Sequence, residues 1–140
     1  MKKISIILFA VVSMALVTFS SCGKYEEGPG ISLRSKKSRV VNTWVIEKFL
    51  ENGVDITSQV LPFLGSYSVE YKKDETFEVL TDGMREIGKW SFDSKKENLE
   101  MMYDGSTSKD LAKIIRLTND ELWLVEDDGT DKYEIHYKSK

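Results

Sequence analysis

From residue 40 onward the chain is cut into short runs of alternating apolar and polar residues, each followed closely by turn chemistry. This rhythm leaves few folds open. Tyr67, Val69 and Tyr71 fall on one side of their run, and Ser66, Ser68 and Glu70 on the other. Leu99, Met101 and Tyr103 alternate with Glu100, Met102 and Asp104, and Tyr133, Ile135 and Tyr137 alternate with Glu134, His136 and Lys138. A period of two marks strands with one buried and one wet face. Eight strands are predicted: Val40–Leu50, Ser66–Tyr71, Thr76–Thr81, Arg85–Asp93, Asn98–Tyr103, Leu111–Thr118, Glu121–Glu126 and Lys132–Lys138. Glu51-Asn52-Gly53 closes the first.

The linkers Lys72–Glu75, Asp82-Gly83, Asp93–Lys96, Thr118–Asp120 and Asp127–Thr130 are short, and Tyr103–Asp110 is the longest. A parallel crossover takes about a dozen residues or more, so these linkers join antiparallel neighbours. "DITSQVLPFLG" breaks the pattern: Asp55 or Thr57 caps a short helix or lid-like loop that Pro62 and Gly65 limit. An open sheet of such strands exposes two edges, and closure removes them. The expected fold is all-β, a single antiparallel eight-stranded up-and-down barrel or half-barrel.

The first residues follow other rules. Met1-Lys2-Lys3 is basic, and Ile4 to Phe19 is apolar apart from Ser5, Ser13 and Thr18. That is a charged start followed by a hydrophobic region, the pattern of a cleaved secretory signal helix. The run is short of the roughly 20 residues a membrane span needs. Thr18-Phe19-Ser20-Ser21-Cys22-Gly23 resembles a bacterial lipobox. The resemblance implies that Cys22 becomes the first mature residue and carries a diacylglycerol on its sulfur. Cys22 is the one cysteine among 140 residues, so it has no disulfide partner within the chain. The expected organisation is a lipoprotein signal peptide over 1–21, a lipidated tether over 22–39 and the barrel over 40–140.

Within the tether, residues 24–30 show no apolar period. "ISLRSKKSR", residues 31–39, is open between a short edge strand, a solvated charge run and a basic contact with anionic head groups. Without Lys2 and Lys3 the remaining chain has 18 basic and 23 acidic residues. No basic block is large enough to neutralise a run of phosphates, so nucleic acid is not an expected partner.

Several stretches resemble the small lipocalin-like domains of lipoproteins from Gram-negative gut and mouth bacteria. They are "NTWVIEKFLENGVDIT", "GKWSFD" and "IRLTNDELWLVEDDGTDKYEIHY". Trp44, then Gly88, Trp90 and Phe92, then Leu117, Thr118, Leu122 and Leu124 match that family's layout, while Asn42 stands where the lipocalin hallmark has glycine. The resemblance implies a lipocalin-like barrel and no single ligand. No Asp follows Cys22 directly, so the usual inner-membrane retention cue of well-studied envelopes is missing and the outer membrane is the expected location. Lys24-Tyr25-Glu26-Glu27 resembles the acidic surface-export signals of some such lipoproteins, and the membrane face stays open.

Catalytic constellations are sparse. His136 is the only histidine, and its alternation against Tyr133, Ile135 and Tyr137 predicts a solvent-facing side chain. With Cys22 committed to the anchor, Cys–His chemistry and a His/Cys zinc site have no residues to draw on. No glycine-rich phosphate loop is present. Glu126, Asp127, Asp128 and Asp131 cluster around Gly129 without the ligand spacing of an EF-hand, and read as a solvated hairpin turn. The expectation is a non-enzymatic protein with no cofactor and no metal site.

Two functions then remain. In the first, the barrel binds a small apolar ligand, with Trp44, Tyr67, Trp90, Tyr103, Trp123 and Tyr137 as the aromatic stock for a pocket. In the second, the barrel's outer surface or an open edge meets another envelope protein, with Met84, Met101 and Met102 as an adaptable patch.

Overall fold

The computed structural model describes residues 25–27 and 33–140. The expected signal segment, the expected lipidation site at Cys22 and residues 23, 24 and 28–32 of the expected tether lie outside the described residues. The described chain is an eight-stranded antiparallel barrel. Its elements are α1 (Lys36–Val40), β1 (Thr43–Glu51), β2 (Val54–Asp55), α2 (Thr57–Leu64), β3 (Ser68–Tyr71), β4 (Thr76–Thr81), β5 (Met84–Phe92), β6 (Asn98–Tyr103), β7 (Asp110–Leu117), β8 (Glu121–Asp127) and β9 (Lys132–Ser139). From β3 to β9 each strand pairs with the next in sequence, and β1 lies between β3 and β9 and closes the ring. The two-residue β2 pairs only with the end of β1, so it is a hairpin flap outside the barrel's eight strands.

The turns are those the sequence predicts. Asn52-Gly53 and Asp82-Gly83 both place two successive residues at positive φ (50° and 81°, then 49° and 82°). That is the geometry of a tight hairpin turn whose twist matches its strands. The acidic turn after β8 also serves its own backbone. Asp127 accepts from the Gly129 N–H, and Asp128 accepts from those of Thr130 and Asp131, at 2.8–2.9 Å.

One boundary differs in kind. Val40, read above as the start of the first strand, ends α1 instead. Ser35 caps that helix by accepting from the Ser38 N–H at 3.1 Å. Helical geometry lets Val40 bury completely and carries Arg39 under the barrel, where its guanidinium donates to the Leu117 carbonyl. The Trp44 indole N–H donates back to the Val40 carbonyl at 2.9 Å. This end, where β1 and β3 come closest, is the base.

The opposite end is the mouth. The β1–β3 seam has only two registered pairs, Thr43↔Glu70 and Trp44↔Val69. Toward the mouth β1 leaves β3 and turns into β2 and α2. Thr57 Oγ1 accepts from the Phe49 N–H at 2.9 Å and fastens the start of α2 to β1. At its far end Asp82 accepts from the Ser66 N–H at 3.1 Å. The short helix expected here is therefore present, with Pro62 inside it and Gly65 ending it, and none of its residues is buried.

Residues 25–27, expected as free tether, pack on the barrel wall. β7 runs on toward the base past the start of β6, which leaves a β7 edge unpaired. The Glu27 N–H donates to the Ile115 carbonyl there at 2.7 Å. Glu26 pairs with Lys113 at 2.6 Å. The Tyr25 ring is buried in the core, and its hydroxyl donates to the Lys96 carbonyl at 2.9 Å.

Candidate functional site

The barrel interior divides into an apolar base and an upper part lined by tyrosine. Trp44, Leu99, Leu117 and Leu122 are wholly buried and fill the base. Trp90 is nearly as buried, donates its indole N–H to the Lys72 carbonyl at 3.1 Å and meets Tyr71 edge-on at 5.6 Å. Both tryptophans, expected as pocket lining, thus spend their polar atoms on the backbone and act as packing.

Above the base the interior is lined by tyrosine. Tyr67 and Tyr137 stack with ring centroids 6.5 Å apart. Tyr103 meets Phe77 edge-on at 5.0 Å. The Tyr71 hydroxyl donates to Met101 Sδ at 3.1 Å. Strand parity places these rings inside: Tyr67 is in step with Val69 and Tyr71, Tyr103 with Leu99 and Met101, and Tyr137 with Ile135. Three of the six expected aromatics, Tyr67, Tyr103 and Tyr137, therefore converge here.

Glu126 belongs to the same site. It continues the inward series Leu122–Leu124 on β8 and pairs across the sheet with Tyr133. Burial first, and then the neighbouring carboxylate of Asp110, push its pKa up. Burial likewise raises the tyrosines: Tyr103 is pushed up to about 12, Tyr71 and Tyr137 lie well above the ordinary phenol value, and Tyr67 is raised. At neutral pH the wall presents neutral hydroxyls and one partly desolvated carboxyl group. Such a surface can take an apolar body and hydrogen-bond its polar end.

Trp123, expected inside, lies outside. Its neighbours Leu122 and Leu124 take the inward positions, so parity turns the indole out. There it stacks on His136 with centroids 3.8 Å apart and planes 3° apart, with the Arg116 guanidinium 5.0 Å from its ring centre. This stack also corrects the reading of His136. The side chain does lie on the outer face, yet it is 9% exposed because Trp123 covers it, and its Nε2 is 2.6 Å from Glu134 Oε1. The methionines do not form one patch. Met84 is exposed on the rim, Met101 is in the core, and Met102 lies half-buried on the opposite face of β6.

Tyr71 and Glu126 were missed as site residues. Tyr71 has the same inward parity as Tyr67, which was legible. Glu126 was read as part of the acidic turn, although its spacing from Leu122 and Leu124 marks it as the last inward residue of β8.

No family model matches the chain, and no curated protein is similar to it. Among solved structures, the chain is similar to the crystal structure of a DUF4847 family protein from Bacteroides vulgatus, with a TM-score of 0.56 and 13% sequence identity. The match covers 75% of this chain and 96% of that one. At that identity the likeness shows the fold alone.

Proposed function

We propose that this chain is a non-enzymatic lipoprotein of the bacterial cell envelope, anchored in the outer membrane through Cys22. Its lipocalin-like barrel takes a small apolar ligand against the tyrosine-lined wall above the base. The observation that supports this most is the convergence of Tyr67, Tyr103 and Tyr137 around a Glu126 carboxyl group raised in pKa by burial. An apolar core gains nothing from a half-buried carboxyl group there, because its desolvation costs stability. A ligand with an apolar body and a hydrogen-bond donor at one end would repay that cost. His136, stacked on Trp123 outside the barrel, is remote from this wall, which fits a binding role without acid–base chemistry. Native mass spectrometry of the protein purified from its host's envelope tests the reading. A stoichiometric small adduct that Tyr103→Ala diminishes is expected, and a bare mass would overturn it. The anchor has its own test: Cys22→Ala should move the protein from the membrane fraction to the soluble fraction.

A second reading, an envelope interaction protein, draws on the rim of the mouth. α2 buries none of its residues, and Phe63 on it is 87% exposed. Val54 and Met84 are exposed on the same rim. Crosslinking in intact envelopes that captures a protein through Phe63, together with a bare native mass, would favour this role.

A further inference from the structure

We infer that the base of the barrel is a docking face for an anionic bilayer surface, so that the barrel stands base-down on its membrane with the mouth turned away. The inference rests on the Cys22 anchor proposed above and adds the surface and the orientation.

The first argument is reach. Tyr25 is fixed at the base by its buried ring, by its hydrogen bond to Lys96 and by the Lys36 ammonium 4.3 Å over its ring centre. Cys22 precedes it by three residues, a Cα separation of at most about 11 Å even when fully extended. β5 is nine residues long, which sets base and mouth roughly 20–30 Å apart at about 3.3 Å per residue. An acyl chain on Cys22 therefore holds the base near the lipid, and the mouth cannot take its place unless Tyr25 leaves the core.

The second argument is charge. Segments 33–40, 72–75, 93–97 and 118–120, which close the base, carry eight Lys and Arg against five Asp and Glu. Segments 51–58, 82–86, 104–110 and 126–132, around the mouth, carry three against ten. Arg39 is one of the eight and is buried, and Glu26 and Glu27 add two acidic groups on the wall beside Tyr25. The base is thus close to neutral where the mouth is strongly acidic, and of the two ends the base is the one an anionic surface repels least. Basic groups beside an anchor are drawn to anionic head groups over about a Debye length.

The third argument is shape. A cleft of about 330 Å³ at the base is lined by Arg34, Ser35, Lys37, Ser38, Val41 and Lys73. Val41 and Lys73 also line a shallower cleft at the foot of the β1–β3 seam. Three cations and two hydroxyls around one opening fit a phosphate-bearing head group. Most of these groups also bond within the protein: Arg34 to Ser38 and Asn119, Ser35 to the Ser38 N–H, and Lys37 to Glu75, so the cleft adds to the charge of the face and does not replace it.

The test uses the acylated full chain in vesicles of phosphatidylcholine with phosphatidylglycerol. Because Cys22 is the only cysteine and is blocked by its lipid, an introduced cysteine is the only thiol that labels. An environment-sensitive fluorophore on Ser94→Cys, at the base, should shift to the blue and be quenched by lipid-borne quenchers. The same fluorophore on Thr130→Cys, at the mouth, should do neither. The combined change Lys73→Glu, Lys95→Glu and Lys96→Glu should weaken the Ser94 response, as should vesicles of phosphatidylcholine alone, while the anchor keeps it above that of Thr130. Equal responses at the two sites, or a stronger one at Thr130, would overturn the inference. The mass of the mature chain reads the anchor separately. An unacylated mass overturns anchor and docking together, whereas an acylated chain with equal labels overturns docking alone.

Discussion

The base and the mouth are made by opposite ends of the same eight strands, and the chain treats them in contrary ways. At the base, the Trp44 and Trp90 indoles and the Arg39 guanidinium bond to backbone carbonyls, although the Arg39 Nε is buried without a partner among the described residues. Tyr25 fills the remaining edge. At the mouth, the seam parts, α2 rests on the rim without burying a residue, and a carboxyl group sits among tyrosine rings. The difference teaches how packing is divided in so small a barrel. One end carries the packing, which leaves the other free to keep polar groups half-desolvated.

The largest expected effect is at the base. Trp44→Ala removes a fully buried ring and should cost about 3–5 kcal/mol in equilibrium denaturation. A cost below ~1 kcal/mol would mean that the base is not the barrel's main packing centre.

Gly88 comes next, at the boundary between the two regions. A Cβ there would lie 2.4 Å from the Met102 carbonyl oxygen and 2.7 Å from the Phe77 ring. Gly88→Ala should therefore cost about 1–3 kcal/mol through overpacking. It should also disturb the Phe77–Tyr103 pair, which near-ultraviolet circular dichroism would read.

The mouth should respond to rising pH through Glu126, whereas Asp74 and Asp93 at the base, held below their ordinary values by hydrogen bonds, respond only toward acid. Burial raises the Glu126 pKa in the folded chain, so folding favours its neutral form. The native protein should lose stability as pH rises from the group's ordinary value of 4.5 through its higher folded value. Glu126→Gln stays neutral and should lose that part of the slope, making the variant the more stable of the two at pH 7. Parallel slopes for the two proteins would show that Glu126 is well solvated and would remove the main support for a site at the mouth.

The smallest effect is expected on the rim. Phe63→Ser should change stability by no more than about 0.5 kcal/mol, because the ring packs on little. A loss comparable to that of Trp44→Ala would erase the contrast between the two ends.

How much of this was legible in sequence follows from the range over which each feature is determined. The eight strands depend on near neighbours. A period of two, an Asn52-Gly53 turn or an Asp82-Gly83 turn is written within a few residues, and the strand limits agree with the structure to within a few positions. Which aromatic rings turn inward was half legible. Tyr67, Tyr103 and Tyr137 sit in cleanly alternating runs, so their inward direction could be read. Trp123 sits in Leu122-Trp123-Leu124-Val125, apolar at all four positions, where alternation gives no sign of which face turns in.

By itself, then, the sequence determined the strand count, their antiparallel succession and the turns, since short polar linkers and period-two burial admit little else. Tertiary structure decided the rest. It turned Val40 from strand to helix, because the open base needed a cap. It hid His136 beneath Trp123, because two outward rings on paired strands bury more surface together than apart. It drew Tyr25 to Glu27 onto the wall, because β6 begins short of where β7 ends and an unpaired edge seeks a partner. Each outcome depends on groups far apart in the chain, and only closure of the barrel brings them together.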